Sequence, residues 1–595
     1  MNQQCRTKTV TRRDFLKTYG KFAAGAIALP ALSPLLKVAK AREGPQRPIV
    51  HDAEYYILEA QNGEKWAAED RQLDRKLAEL RSKHGQPPNI VYILWDDTTF
   101  GVVGFPGLQK NLGYGTPNLN KMAEEGILFT RMYSEPSCTP TRAAFLTGRH
   151  PVRHGMGKVG MPHEMAGLRS DEVTIAEVLS KAGYATAHYG KGHLGDIEQS
   201  YLHNQGFDEA LFTPLNQIVS IWNAKGDAVG ASLGIAPENY PPDPYKLDDP
   251  GLLPKGLVLA IEGKKGEQGR EWGQPTHEWY GKMDPECEKR TLEFIRKNAR
   301  AKKPFFVEYW PNLLNLLKAY PNKRTQAGTK VAEELQVFDA FIGTVMDELE
   351  KLGIAENTLF VAMADNGPMI HNPPPSFGMT SLMFRGGKGD FLEGGVRVPA
   401  FAWWPGVIKP GQNVGDIIHI ADLYTTFARL GQATQHIPTD RIIDGLDQTA
   451  LLLSGDTHGR RDYVFIYTGD ILGATVKGRY KRHWVAAGEV AASGMPVAYY
   501  DLYTDTREEN PQLVPLIHTQ GQFNRMRARH ELMKKKYPDK PKAYGIPYTG
   551  LSNARPETKA IAEQVRRNIR NMPFDVTEYI EFEVPGGKLD PDFGR

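Results

Sequence analysis

The chain has 595 residues, of which 41% are hydrophobic and 24% charged, and its net charge is +3. That balance excludes a disordered or fibrous protein, and the mixing of signs along the chain argues against the basic face of a nucleic-acid binder. The length predicts a large domain accompanied by a smaller one.

The first informative stretch is Thr11-Arg12-Arg13-Asp14-Phe15-Leu16-Lys17, followed by an apolar run from Phe22 to Leu36 and by Ala39-Lys40-Ala41. It resembles a twin-arginine export signal with a small-residue cleavage site. The run is shorter than the ~20 residues a spanning helix needs and contains two prolines. Residues 1–41 are therefore expected to be removed after passage through the twin-arginine machinery, leaving a periplasmic or secreted protein without a permanent membrane anchor. Cleavage takes Cys5 away and leaves Cys138 and Cys287, for which no disulfide is expected. Residues 42–87 read as an N-terminal extension, and the charged, helix-prone Glu64 to Lys83 within it has no evident role.

Asn89 to Trp95 is a nearly continuous apolar, β-rich run, the mark of a strand buried on both faces, and it ends abruptly in Asp96-Asp97. Similar runs follow helix-like segments: Tyr184 to Tyr189 after Ile175 to Ala182, Pro304 to Trp310 after Glu288 to Ala301, and Leu359 to Ala364 after Val331 to Leu352. This alternation predicts an α/β fold with a large mixed, mainly parallel sheet sandwiched by helices. Ligands of such sheets gather beyond the carboxyl ends of the strands, which points to Asp96, Asp97, Lys191, His193, Asp365 and Asn366. The Gly- and Pro-rich stretch 200–286 has few strong strand runs and reads as an excursion over the active-site face that shapes substrate entry. The catalytic domain is placed at 88–459. Short strand runs at Tyr463 to Tyr467, Tyr480 to Ala486 and Val497 to Leu502, then a polar helical tail, predict a small antiparallel-sheet domain over 460–595.

The most specific segment is Ser137-Cys138-Thr139-Pro140-Thr141-Arg142-Ala143-Ala144-Phe145-Leu146-Thr147-Gly148-Arg149. Pro140 suits the first turn of a helix, which would put Cys138 at the helix N-terminus, where free amides favour an oxyanion. Arg142, one turn on, can face the same point. The run resembles the sulfatase signature Cys-x-Pro-x-Arg followed by Leu-Thr-Gly-Arg. In that family the cysteine is converted to formylglycine by a separate maturation enzyme. Asp96, Asp97, Asp365 and Asn366 offer only oxygen ligands, which suits one Ca²⁺ or Mg²⁺. The resemblance places the metal on these four residues and on position 138. Gly190-Lys191-Gly192-His193-Leu194-Gly195 resembles the family's Gly-Lys-Trp-His-Leu-Gly. Arg385 to Gly389 with Glu393 to Pro399 resembles its later signature. Lys191 and Lys388 would then bind sulfate, and His193 would be a base.

Two departures accompany the resemblance. Gly192 replaces the family's tryptophan, which on this reading widens or loosens the pocket. The histidine that relatives carry after the Pro-Phe-Phe strand is also absent, Asn315 standing nearest to it. An amide cannot protonate a leaving group, so Lys318 or His371 would substitute, or no acid would be needed.

The resemblance implies the alkaline-phosphatase superfamily and arylsulfatase-like hydrolysis of a small sulfate ester through a sulfated-enzyme intermediate. Two rivals remain: a phosphonate monoester or phosphodiester hydrolase with the same nucleophile, and a binding paralogue of low turnover.

Overall fold

Buried apolar runs dictate the centre of the molecule. In the computed structural model, Asn89–Trp95 (β1) is buried along its entire length and lies in the middle of an 11-stranded sheet. The other strands used below are Ile127–Tyr133 (β2), Ala185–Lys191 (β3), Glu209–Thr213 (β4), Ala260–Lys264 (β5), Arg270–Trp272 (β6), Phe305–Trp310 (β7), Thr358–Ala364 (β8), Arg397–Trp403 (β9) and Gln412–Val414 (β10). Their order is β6-β5-β4-β3-β7-β1-β8-β9-β2-β10. From β4 to β8 all pairs are parallel, while β9 runs antiparallel to both β8 and β2. Truncating a central residue such as Ile93 to Ala would cost about 2–5 kcal/mol, because the sheet is covered on both faces and a cavity there cannot collapse.

The structure describes residues 48–161, 164–215, 218–222, 228–233, 253–254, 258–274, 277–312, 330–370, 381–485, 498–512 and 517–571. The export segment, Asn315, Lys318 and His371 lie outside them. Pro48–Arg595 is one compact unit.

The expectation for 200–286 needs correction. Its described part is rich in strands: β4, β5 and β6 extend one edge of the main sheet, and Ile218–Trp222, Ala228–Leu233 and Leu253–Pro254 form a sheet of their own. These strands are short, two to six residues each, so each gave only a weak run in the sequence. The small C-terminal sheet is antiparallel, in the order Tyr463–Thr468 (β11), Ile471–Lys477 (β12), Tyr480–His483 (β13) and Ala498–Asp501 (β14). A buried charge cluster ties it to the 385–395 loop: Lys481 Nζ lies 3.1 Å from Glu393 and 3.0 Å from Glu508, and His483 Nε2 lies 2.7 Å from Glu508.

The charged N-terminal segment is a long helix, Ala53–His84 (α1), capped by the Asp52 carboxylate on its first amide and closed by Gly85 in the left-handed conformation. It has a structural task. Leu58 and Trp66 pack in one cluster with Tyr463, Phe465 and Phe523, and Asp52 also meets Arg153 and His530 at 2.8 Å each. The helix thereby clamps the small sheet and the helix Ile517–Lys536 to the main domain.

Candidate active site

The carboxyl ends of β1, β3 and β8 meet the start of Cys138–Thr147 (α2), a helix in which every residue is buried. Thr141 fastens that helix to the strand ends, its hydroxyl lying 3.0 Å from the Glu135 carbonyl and 2.8 Å from the Asp365 carbonyl. Cys138 is its first residue and is fully buried.

A cage of opposite charges surrounds this point. Arg142 Nη2 donates to Asp96, and also to Asp365 at 3.0 Å. Lys191 Nζ donates to the second oxygen of Asp96 at 2.6 Å. Lys388 Nζ donates to Asp97 Oδ1 at 2.6 Å, and Asn366 Nδ2 to the same oxygen at 2.7 Å. The Asp97 amide donates to Asp365 Oδ1 at 3.0 Å. Seven of the residues proposed from the sequence around position 138 are thus joined in one network of contacts. His193 joins them at the Gly160 loop, since Gly160 N–H donates to Thr139 at 2.9 Å and its carbonyl takes the His193 Nε2 proton at 3.0 Å. Asp97 and His193 both have positive φ, 52° and 56°, a backbone cost of the kind that collects at working sites.

The electrostatics follow from burial competing with these neighbours. Burial opposes ionisation of Asp96, but Lys191 and Arg142 outweigh it and hold the carboxyl well below its usual range. Asp365 goes the other way, pushed up by burial and then by Asp96. Burial also raises the Cys138 thiol, with Lys191 and Lys388 pulling it back. His193 is held neutral by burial and by the positive charge of Lys191. Its Nε2–H is fixed on the Gly160 carbonyl, so the basic lone pair is on Nδ1, which has no partner among the described residues.

The residues fit a hard divalent cation. Ligand atoms of Asp97, Cys138 and Asp365 all lie within 4.8 Å of one another, and the buried Asn366 Oδ1 has no partner among the described residues. Oxygen donors of this kind suit Ca²⁺ or Mg²⁺ rather than zinc. A second cluster, Glu135, His150 and His419, is better read as a hydrogen-bonded trio. The Ala421 amide donates to His419 Nδ1 at 3.3 Å, whereas a metal-bound histidine uses its second nitrogen as a donor. A polar groove of about 730 Å³ lies at the β4–β5 edge, and its Arg290 is already paired with Glu262 and Glu286.

Gly192 does not open the pocket as expected. A Cβ there would sit 3.0 Å from the Thr213 carbonyl, 3.1 Å from Phe212 and 3.3 Å from Leu202, so the chain already fills the space. Sequence reasoning also missed Thr141 and the Gly160 carbonyl. The closely spaced glycines 155, 157 and 160 were the available signal for a backbone that approaches the site.

A mainly parallel sheet brings carboxylates, lysines and an arginine to its carboxyl ends around a helix N-terminus, an arrangement suited to holding an anionic ester. The sulfatase family model matches residues 88–433. The chain is 31% identical over 455 residues to N-acetylgalactosamine-6-sulfatase of Mus musculus, covering 73% of this chain and 80% of that one. It is 35% identical over 419 residues to arylsulfatase A of Homo sapiens, covering 68% and 76%. Among solved structures it is similar to the PsFucS1 sulfatase from Pseudoalteromonas sp., with a TM-score of 0.67 and 27% identity over 80% of this chain and 96% of that one. The chain belongs to the sulfatase family, within the alkaline-phosphatase superfamily, and is a sulfuric ester hydrolase.

Proposed function

We propose that the protein is an exported, arylsulfatase-like enzyme whose nucleophile is a formylglycine made from Cys138 by a separate maturation enzyme. Asp96, Asp97, Asp365, Asn366 and position 138 would hold one Ca²⁺, or Mg²⁺ in its place, which when bound supplies Lewis-acid polarisation of the sulfate and lowers the cost of ionising the nucleophile. Lys191 and Lys388 neutralise the sulfate oxygens. Arg142, fixed by Asp96 and Asp365, stabilises charge at position 138. One hydroxyl of the hydrated aldehyde gives its proton to Asp365 and attacks sulfur, and the bond to the ester oxygen breaks with its electron pair to release the alkoxide or phenoxide, which water then protonates. His193 Nδ1 then takes the proton of the second hydroxyl; sulfate leaves with its bonding pair and the aldehyde returns.

The observation that carries this reading is Cys138 at a helix N-terminus, within 4.8 Å of Asp97 and Asp365 at the ligand atoms. The test is the mass of the tryptic peptide Met132 to Arg142 from an active preparation. An aldehyde at position 138 is expected, and unmodified cysteine alone would reject the proposed nucleophile. The ratio of aryl sulfate to aryl phosphonate turnover separates this reading from the phosphonate or phosphodiester alternative. Release of sulfate in excess of enzyme rules out a binding paralogue. Export by the twin-arginine machinery is tested by fractionating cells that carry the chain with Arg12 and Arg13 replaced by lysine. No helix of the described residues is long and apolar enough to cross a membrane.

A further inference from the structure

Behind the charge cage, a row of polar side chains crosses the core of the sheet. Tyr92 on β1 is in register with Glu308 on β7, and Glu308 is in register with His188 on β3, so all three project from one face. Trp310, two residues beyond Glu308, is on the same face nearer the carboxyl ends. Helix α2 covers this face: Phe145 stacks on Tyr92 with centroids 4.2 Å apart, and the Arg142 guanidinium carbon lies 4.9 Å from the Trp310 ring. The His188 ring meets Trp310 edge-on at 4.6 Å. Tyr92, Arg142, His188, Glu308 and Trp310 are all fully buried.

Glu308 Oε2 and His188 Nδ1 are 2.9 Å apart. Burial pushes the Glu308 carboxyl up and the His188 imidazole down, and the charge of Arg142 opposes the first and adds to the second. The pair therefore rests uncharged, with the carboxyl O–H donating to Nδ1 and the imidazole proton on Nε2. The Lys191 carbonyl is close enough to His188 to raise its proton affinity, and it also accepts from Arg142 Nη1 at 3.4 Å. One polar atom from each of four of these residues (Tyr92 OH, Arg142 Nε, Glu308 Oε1 and Trp310 Nε1) has no partner among the described residues. Four such atoms in one buried row are costly to folding, and a purely packed core would have had apolar side chains there.

We propose that Glu308 and His188 are positioning residues that act through the Lys191 carbonyl and the Trp310 ring to fix the Arg142 guanidinium against Asp96 and Asp365. The inference rests on Arg142 serving the sulfate-ester site. Misplacing such a group by a fraction of its reach lowers the chemical step while leaving substrate binding to Lys191 and Lys388 largely intact.

The experiment compares the wild type, E308Q and the double variant E308L/H188L in the full chain, on an aryl sulfate. Replacing both partners of a buried pair by apolar groups is near neutral for folding. The double variant is expected to keep its melting temperature within a few degrees, to lose kcat roughly 10- to 100-fold and to change KM little. Glu308→Gln keeps a neutral donor toward His188 and should retain kcat within about threefold. A double variant with wild-type kcat overturns the proposal, as does a folded E308Q that falls as far as the double variant. If Leu/Leu does not fold, the more adaptable E308M/H188M pair takes its place under the same criteria. A wild type that releases no sulfate would reject the sulfatase reading instead, so the two failures are distinct.

Discussion

His154 offers a sharp test of the electrostatics that hold the nucleophile helix. It is fully buried, and Thr147 on α2, whose hydroxyl donates to the Ala143 carbonyl at 2.7 Å, receives the His154 Nε2 proton at 3.2 Å. Its Nδ1 has no partner among the described residues. Burial lowers the imidazole from its usual 6.5 to about 4, with Glu172 opposing and Arg149 adding. A group whose folded pKa is depressed stabilises fully above its unfolded value, here pH 6.5, and that stability is lost as pH falls toward 4, because the unfolded chain binds the proton first. The span corresponds to about 3 kcal/mol at 1.36 kcal/mol per tenfold change in proton affinity. His154→Gln removes the titration and keeps an amide donor for Thr147. Urea midpoints of both proteins should be measured from pH 8 to pH 4.5. All other acid-sensitive groups, including the aspartates of the site, cancel in the difference. The wild type should lose its advantage below pH 6.5, at roughly 1.4 kcal/mol per pH unit. Parallel curves over the whole range would refute the reasoning, since they would mean that His154 binds its proton equally well in both states.

Cys138→Ala should abolish turnover without changing the fold, whereas Cys287→Ala, a buried thiol 3.9 Å from the Leu211 carbonyl, should leave kcat intact and cost roughly 1–2 kcal/mol by urea unfolding. Elemental analysis should find one Ca²⁺ or Mg²⁺ per chain, lost in Asp97→Asn together with activity; two zinc ions per chain would sink the assignment. Gly192→Trp should not restore a family-like pocket and should cost stability, because a Cβ there already sits 3.0 Å from the Thr213 carbonyl and 3.1 Å from Phe212; a variant as stable and active as the wild type would show that β4 yields there. With no acid for the departing oxygen, rates on substituted phenyl sulfates should depend steeply on phenol pKa, and a shallow dependence that steepens in His371→Ala would give that role to His371.

The centre of the fold was legible because a parallel strand covered on both faces must be apolar throughout. Asn89 to Trp95 therefore announced both its own limits and the acidic pair beyond it. The flanking strands β2 and β9 were harder, because they pair antiparallel with one another, and β12 was hidden because Gly473 and Thr475 interrupt its apolar pattern. The site was legible to the extent that its chemistry sits in contiguous motifs: Cys138 to Arg149, Lys191 to His193, and Asp365-Asn366. What remained hidden depends on backbone and register. The tautomer of His193 is set by a carbonyl 33 residues earlier in the chain, and no side-chain pattern encodes that.

The row from Tyr92 to His188 shows the same limit from the other side. In sequence, Tyr92, Glu308 and His188 are single polar-bearing positions within three largely apolar runs, and none of them taken singly points to the others. Only the register of β1, β7 and β3 turns the three positions into one buried line ending at Arg142. A polar residue in a central strand is costly wherever it occurs, at roughly 1–3 kcal/mol when unsatisfied. Three of them aligned behind Arg142 are best explained by what they do for that arginine, because packing alone would have favoured leucine at each position.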